Sequence, residues 1–150
     1  MSDRCEYCQI AGGYGDLIEE TPYWMIFLAP SQRYLGTCVV ALKRQCKSLS
    51  ELEDEEWKDF VLTVRRMENS VSKAFHPALY NWSCFKNAAF RTGEPKPEIH
   101  WHFLPRYHEE TEFGGLTFDD PDFGYIPKPI ARIIPGEVMN QIKSEIKKYL

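Results

Sequence analysis

Apolar side chains return at three- and four-residue steps between Asp54 and Phe75: Trp57, Phe60, Val61, Val64, then Met67 or Glu68, then Val71. Lys58, Arg65, Arg66 and Lys73 fall elsewhere on the wheel, so the spacing predicts one long amphipathic helix. Glu55 and Glu56 suit the positive end of its dipole. His76-Pro77 should end it, because the residue before a proline avoids the helical region. A second amphipathic helix is predicted over about 136–150, where Val138, Ile142, Ile146 and Tyr149 share a stripe after Pro135-Gly136-Glu137. Elsewhere the apolar runs are short. Tyr23 to Leu28, Thr37 to Leu42 and Leu79 to Phe85 read as strands, and Ser48 is placed to cap a short helical turn. The acidic, Gly/Pro-rich stretch from His108 to Pro129 reads as irregular, and loops of that length usually wrap a site or make an interface.

The fourth strand carries the chemistry. In Pro97-Glu98-Ile99-His100-Trp101-His102-Phe103-Leu104-Pro105-Arg106-Tyr107, alternation puts His100 and His102 on one face, with Ile99, Trp101 and Phe103 on the other. Imidazole is suited to nucleophilic or proton-transfer work near neutral pH, and a strand with a buried back face holds such a pair in register. By itself the pair also fits an exposed strand face that happens to hold two histidines. Asn87 and Thr92-Gly93 in the preceding loop are candidates to meet a phosphate at the same mouth, and Arg106 at the strand's far end has the fork for a distal one.

Composition narrows the partners. The chain has 150 residues, enough for one domain spanning 1–150. A net charge of -4 gives no general attraction to nucleic-acid polymers or acidic membranes, so an anionic substrate would need the local cations Arg91, Lys96 and Arg106. No apolar run approaches membrane-spanning length, and Met1-Ser2-Asp3-Arg4-Cys5-Glu6 does not read as a signal peptide. Five cysteines in such a chain are expected as reduced thiols in the cytoplasm.

Several blocks, in order, resemble the histidine-triad (HIT) superfamily of nucleotide hydrolases and transferases. They are Cys5-x-x-Cys8, Gln32-Arg33-Tyr34-Leu35-Gly36-Thr37, Lys43-Arg44, Asn81-Trp82-Ser83-Cys84-Phe85-Lys86-Asn87, the histidine strand and Asp119-Asp120-Pro121-Asp122-Phe123-Gly124, together spanning about residues 1–125. The resemblance implies an α+β fold, a five-stranded antiparallel sheet with the long helix packed on it, followed here by the C-terminal helix. It also implies a homodimer. In the family motif the middle histidine attacks the α-phosphorus of a nucleotide; that position is His100, the third is His102, and the loop asparagine that holds a phosphate oxygen falls on Asn87. The implied substrates are dinucleoside polyphosphates and nucleoside phosphoramidates, cleaved through a nucleotidyl-His100 intermediate without a required metal.

The chain departs from the pattern in ways that bear on function. Glu98 stands where the first histidine of the triad belongs, Thr37 where a histidine often precedes the second strand, and Ala29 where an acidic or amide residue often grips the ribose. Cys5 and Cys8 are spaced for zinc, and in zinc-binding members the other two ligands fall on positions held here by Glu98 and Gln45, with Cys46 as a neighbouring substitute. A pair of buried thiols is the alternative. Three readings follow: a HIT-like hydrolase or transferase, a non-catalytic nucleotide- or partner-binding relative, and a small zinc-binding protein.

Overall fold

A computed structural model of the chain describes residues 13–150. Five strands, Asp16–Glu20 (β1), Trp24–Leu28 (β2), Cys38–Leu42 (β3), Leu79–Ser83 (β4) and His100–Arg106 (β5), make an antiparallel sheet in the order β1-β2-β3-β5-β4. Between β3 and β4 runs the helix Asp54–Phe75 (α1). A small hairpin, Thr111–Phe113 (β6) and Leu116–Phe118 (β7), precedes the final helix Gly136–Tyr149 (α2). This α+β arrangement is the one the HIT resemblance implies.

The long helix has the bounds its periodicity predicts. At its start the buried Glu56 carboxylate accepts the Glu53 backbone N–H at 2.8 Å and both nitrogens of the Arg44 fork at 2.7 and 2.8 Å. The same contacts hold the Glu56 carboxyl below its usual range. Phe60, Met67, Val71 and Phe75 face the interior as expected, but Val61 is 44% exposed. Its place in the buried stripe is taken by the small polar residues Thr63 and Ser70, whose hydroxyls bond to the carbonyls of Asp59 and Ile146. The second contact comes from α2, so a packing helix beside α1 widens the buried face in a direction that α1's own pattern does not show. Helix α1 stops at His76, which takes up the left-handed region (φ 55°, ψ 49°) instead of extended backbone.

Three local expectations need correction. Ser48 precedes a turn at Leu49–Glu51, but its hydroxyl meets Ser50 and caps nothing. Strand β1 is absent from the predicted strands because its pattern, Asp-Leu-Ile-Glu-Glu, is mostly exposed and only Ile18 is buried. The stretch from 108 to 129 contains the β6–β7 hairpin, turned by Gly114 and Gly115 at φ 60° and 82°. No described helix is long and apolar enough to cross a membrane.

Candidate functional site

Register assigns the two faces of the sheet. Trp101 and Phe103 turn toward α1, where Phe60 stacks on Trp101 at 4.9 Å between ring centres and Trp82 packs against Phe103 at 4.7 Å. His100, His102, Leu104 and Arg106 therefore share the other face, as predicted. Their cross-strand partners there are Ala41 and Val39 on β3, and Ser83, Asn81 and Leu79 on β4.

That face is not open along its length. His102, Leu104 and Arg106 are 1%, 3% and 2% exposed, and His100 is half-buried. A strap of residues 119–127 lies over the Arg106 end, while Tyr14 lies over the His100 end. Between β4, β5 and the strap remains a groove of about 400 Å³, lined in part by Asn81, Ser83, Leu104, Tyr125 and Ile126. Ser83, which lines the groove, is the cross-strand partner of His102.

Arg106 does not stand ready for a phosphate. Its Nε and Nη2 donate to the two oxygens of Asp120 at 2.7 and 3.0 Å, Nη1 to Asn81 Oδ1 at 2.9 Å and to the Tyr125 carbonyl at 2.8 Å, and Nη2 also to the Asp122 carbonyl at 2.8 Å. Those are all five guanidinium protons. Tyr34 covers one face of the guanidinium, whose central carbon lies 5.0 Å from the ring centre. The expected phosphate fork is instead a buried tie between β5, β4 and the strap.

His100 is the opposite case. Its Nδ1 lies 3.0 Å from the Glu98 backbone carbonyl, and its Nε2 is buried without a hydrogen-bond partner. The His102 ring stands edge-on at 5.1 Å, interplanar angle 83°. The Tyr14 ring covers His100 at 5.0 Å while its hydroxyl donates to the Glu98 carboxylate at 3.0 Å. Among the described residues two other buried side-chain atoms lack a partner, Tyr34 Oη and Trp101 Nε1, and neither is a nucleophile at neutral pH. Nearby Cys84 takes a backbone hydrogen bond from His100, but burial pushes its thiol up, which keeps it protonated and out of competition.

The remaining candidates are placed as follows. Asn87 is exposed at the first position of a short 3-10 turn, Asn87–Arg91, in the segment that follows β4 past its pairing with His102. Thr37 turns its hydroxyl back to the Tyr34 carbonyl, and Ala29 is buried. Cys5 and Cys8 lie outside the described residues. The residues named to complete their zinc site face other partners: Glu98 meets Tyr14, Gln45 donates to the Pro97 carbonyl at 2.7 Å, and Cys46 meets the Ser48 carbonyl at 3.3 Å. Among the described residues no three metal-ligating side chains gather. Sequence reasoning missed Tyr14; a tyrosine between Gly13 and Gly15 reads as loop, and nothing in its spacing points to His100.

The HIT domain profile matches residues 13–109, which includes both histidines and the sheet that carries them. The chain belongs to the HIT family. Among HIT relatives it is 26% identical over 141 residues to the adenosine 5'-monophosphoramidase hnt1 of Schizosaccharomyces pombe, covering 93% of this chain and 98% of that one. A histidine triad protein of Sinorhizobium meliloti has the same fold, with a TM-score of 0.65 at 17% identity over 91% of this chain and 90% of that one. So does a diadenosine triphosphate hydrolase of Plasmodium falciparum, with a TM-score of 0.56 at 17% identity over 95% and 88%.

Proposed function

We propose that this HIT protein is a nucleotidyl hydrolase or transferase, acting on a nucleoside phosphoramidate or dinucleoside polyphosphate through a covalent nucleotidyl-His100 intermediate. One observation carries the reading. A carbonyl oxygen only accepts, so the Nδ1 facing Glu98 holds the ring proton, and the unpartnered Nε2 keeps its lone pair. A neutral imidazole in this tautomer is a prepared nucleophile. The relatives named as a phosphoramidase and a diadenosine triphosphate hydrolase support the substrate class.

In the first half-reaction Nε2 attacks the α-phosphorus in line. The N–P bond forms while the bond to the leaving nitrogen or oxygen breaks; the leaving group departs with that electron pair and takes a proton from solvent. In the second, water attacks the same phosphorus, the N–P pair returns to Nε2, and the water's proton is released. One water is consumed, and a mononucleotide and the amine or second nucleotide are produced. His102, one ring away, and Asn87 donate to non-bridging oxygens where charge accumulates. The groove beside Ser83 gives the leaving group room. No step needs a metal.

Rapid quenching with adenosine 5'-phosphoramidate labelled on phosphorus tests this. Label should appear on the peptide bearing His100 and be absent from His100→Asn; turnover without labelled protein would reject the covalent route. A second reading has its own support: Ala29 is buried, Thr37 is turned inward and Glu98 is engaged by Tyr14, so three positions that serve the substrate in relatives are not free to do so here. On that reading the protein binds nucleotide without turnover, and calorimetric binding of a nucleoside monophosphate with no hydrolysis would establish it. A homodimer accompanies the first reading. Edge strand β4 is unpaired on one side and begins at exposed Leu79, while Val61 and Leu62 lie exposed on α1. Sedimentation at tens of micromolar should give twice 17.6 kDa. The free thiols Cys38, Cys46 and Cys84 fit the reducing cytoplasm.

A further inference from the structure

We infer that Tyr14 is a positioning residue for the His100 imidazole, locked over it by the carboxylate of Glu98. Its part in the reaction rests on the hydrolase reading; its hold on the ring does not.

Of the imidazole's two torsions, rotation about the Cβ–Cγ bond is the one that exchanges Nδ1 with a ring carbon. Half a turn moves Nδ1 off the Glu98 carbonyl and carries Nε2 away from its present aim. Three contacts oppose that turn: the carbonyl at 3.0 Å from Nδ1, the edge of His102 at 5.1 Å, and the Tyr14 ring at 5.0 Å with an interplanar angle of 35°. The first two come from β5 and its lead-in. The third comes from a loop more than eighty residues earlier and needs its own anchors.

Those anchors are visible. Gly15 has φ 114°, and a Cβ there would overlap the Leu28 carbonyl, so glycine lets the loop press against the end of β2. That approach brings Tyr14 within 5.7 Å of the Phe27 ring, on the histidine face of the sheet. The phenol O–H then donates to Glu98 Oε2 at 3.0 Å. Glu98 stands where the triad pattern has a histidine, and a carboxylate has no proton to offer in an imidazole's place. What it does instead is accept the phenol. One residue thus holds His100 twice, by its carbonyl at the ring edge and through Tyr14 at the ring face.

A fixed nucleophile raises the rate of the bond-forming step and leaves ground-state binding alone. Tyr14→Ala should therefore lower kcat by about tenfold with KM within about twofold. Tyr14→Phe and Glu98→Ala each remove the same hydrogen bond, so each should cost about threefold and the double variant no more than either single one. Glu98→Gln keeps an acceptor and should restore near wild-type kcat. A second readout is independent of turnover. Nitrogen NMR of the neutral imidazole should show a single tautomer, protonated on Nδ1, in the wild type and in Glu98→Gln, and a mixture in Tyr14→Ala.

An unchanged tautomer in Tyr14→Ala, or a raised KM with kcat intact, overturns the inference; Tyr14 would then be a wall of the substrate site. Additive losses in the double variant would overturn the link to Glu98. If the tautomer shifts as expected and the wild type hydrolyses no nucleotide, the positioning role stands and the hydrolase reading falls.

Discussion

The two ends of β5 lie on one sheet face, a few residues apart, and treat their polar groups in opposite ways. At one end Arg106 has a partner for every proton, with a buried carboxylate to balance its charge. At the other, His100 has one nitrogen satisfied and one buried nitrogen with nothing to bond. Buried polar groups without partners are costly, and folds seldom retain them without a use. The saturated guanidinium stabilises the fold; the imidazole nitrogen left short of a partner is free to take a ligand. The arginine end is read as architecture and the histidine end as chemistry, and substitutions at each should separate the two.

The largest effect belongs to His100. His100→Ala should reduce hydrolysis of a nucleoside phosphoramidate by at least about 10⁴-fold, more than about 5 kcal/mol in the barrier. Its melting temperature should stay close to wild type, since the one hydrogen bond lost, from Nδ1 to the Glu98 carbonyl, is exposed to solvent. Substantial residual turnover would break the assignment of nucleophile.

At the other end the balance inverts. Asp120→Ala leaves a buried guanidinium uncompensated and should lower unfolding free energy by roughly 3–5 kcal/mol in denaturant titration. Turnover per folded molecule should hardly change. A selective loss of activity with stability intact would place Arg106 in the reaction after all.

His102 stands between these poles, because it is both buried and beside the nucleophile. His102→Ala should cost roughly 2–4 kcal/mol in the chemical step, the size of one transition-state donor, seen in kcat. A loss confined to KM would make it a uniform binder. The smallest effect is Asn81→Ala, which removes one of the five acceptors around Arg106. About 1–2 kcal/mol of stability is expected, with no change in kcat.

Much of this was legible in the sequence because it is local. Helix α1, the alternation of β5 and the shared face of its histidines all follow from period and residue type. The family motif added the sheet and pointed to the role proposed for His100. What was not legible depends on distant partners. Arg106 looked available for a phosphate because the sequence does not show that Asp120 and two strap carbonyls converge on it. Val61 looked buried because α2, whose Ile146 carbonyl takes the Ser70 hydroxyl, lies far along the chain. Tyr14 was invisible because its place over His100 is set by the turn at Gly15 and by Glu98, not by any repeat.

The arginine tie also has a consequence for how the molecule opens. The strap from 119 to 127 has no helix or strand of its own, and segments of that kind ordinarily exchange their amide protons quickly and are cut early by proteases. Here the Phe123 and Tyr125 amides bond to the Asp120 and Asp122 carbonyls, and Arg106 ties the Asp120 side chain and the Asp122 carbonyl to β5. Freeing the strap means stripping a buried cation of its counter-charge. The Phe123 and Tyr125 amides should therefore exchange at the pace of the sheet, although the segment that carries them is the least regular part of the histidine face.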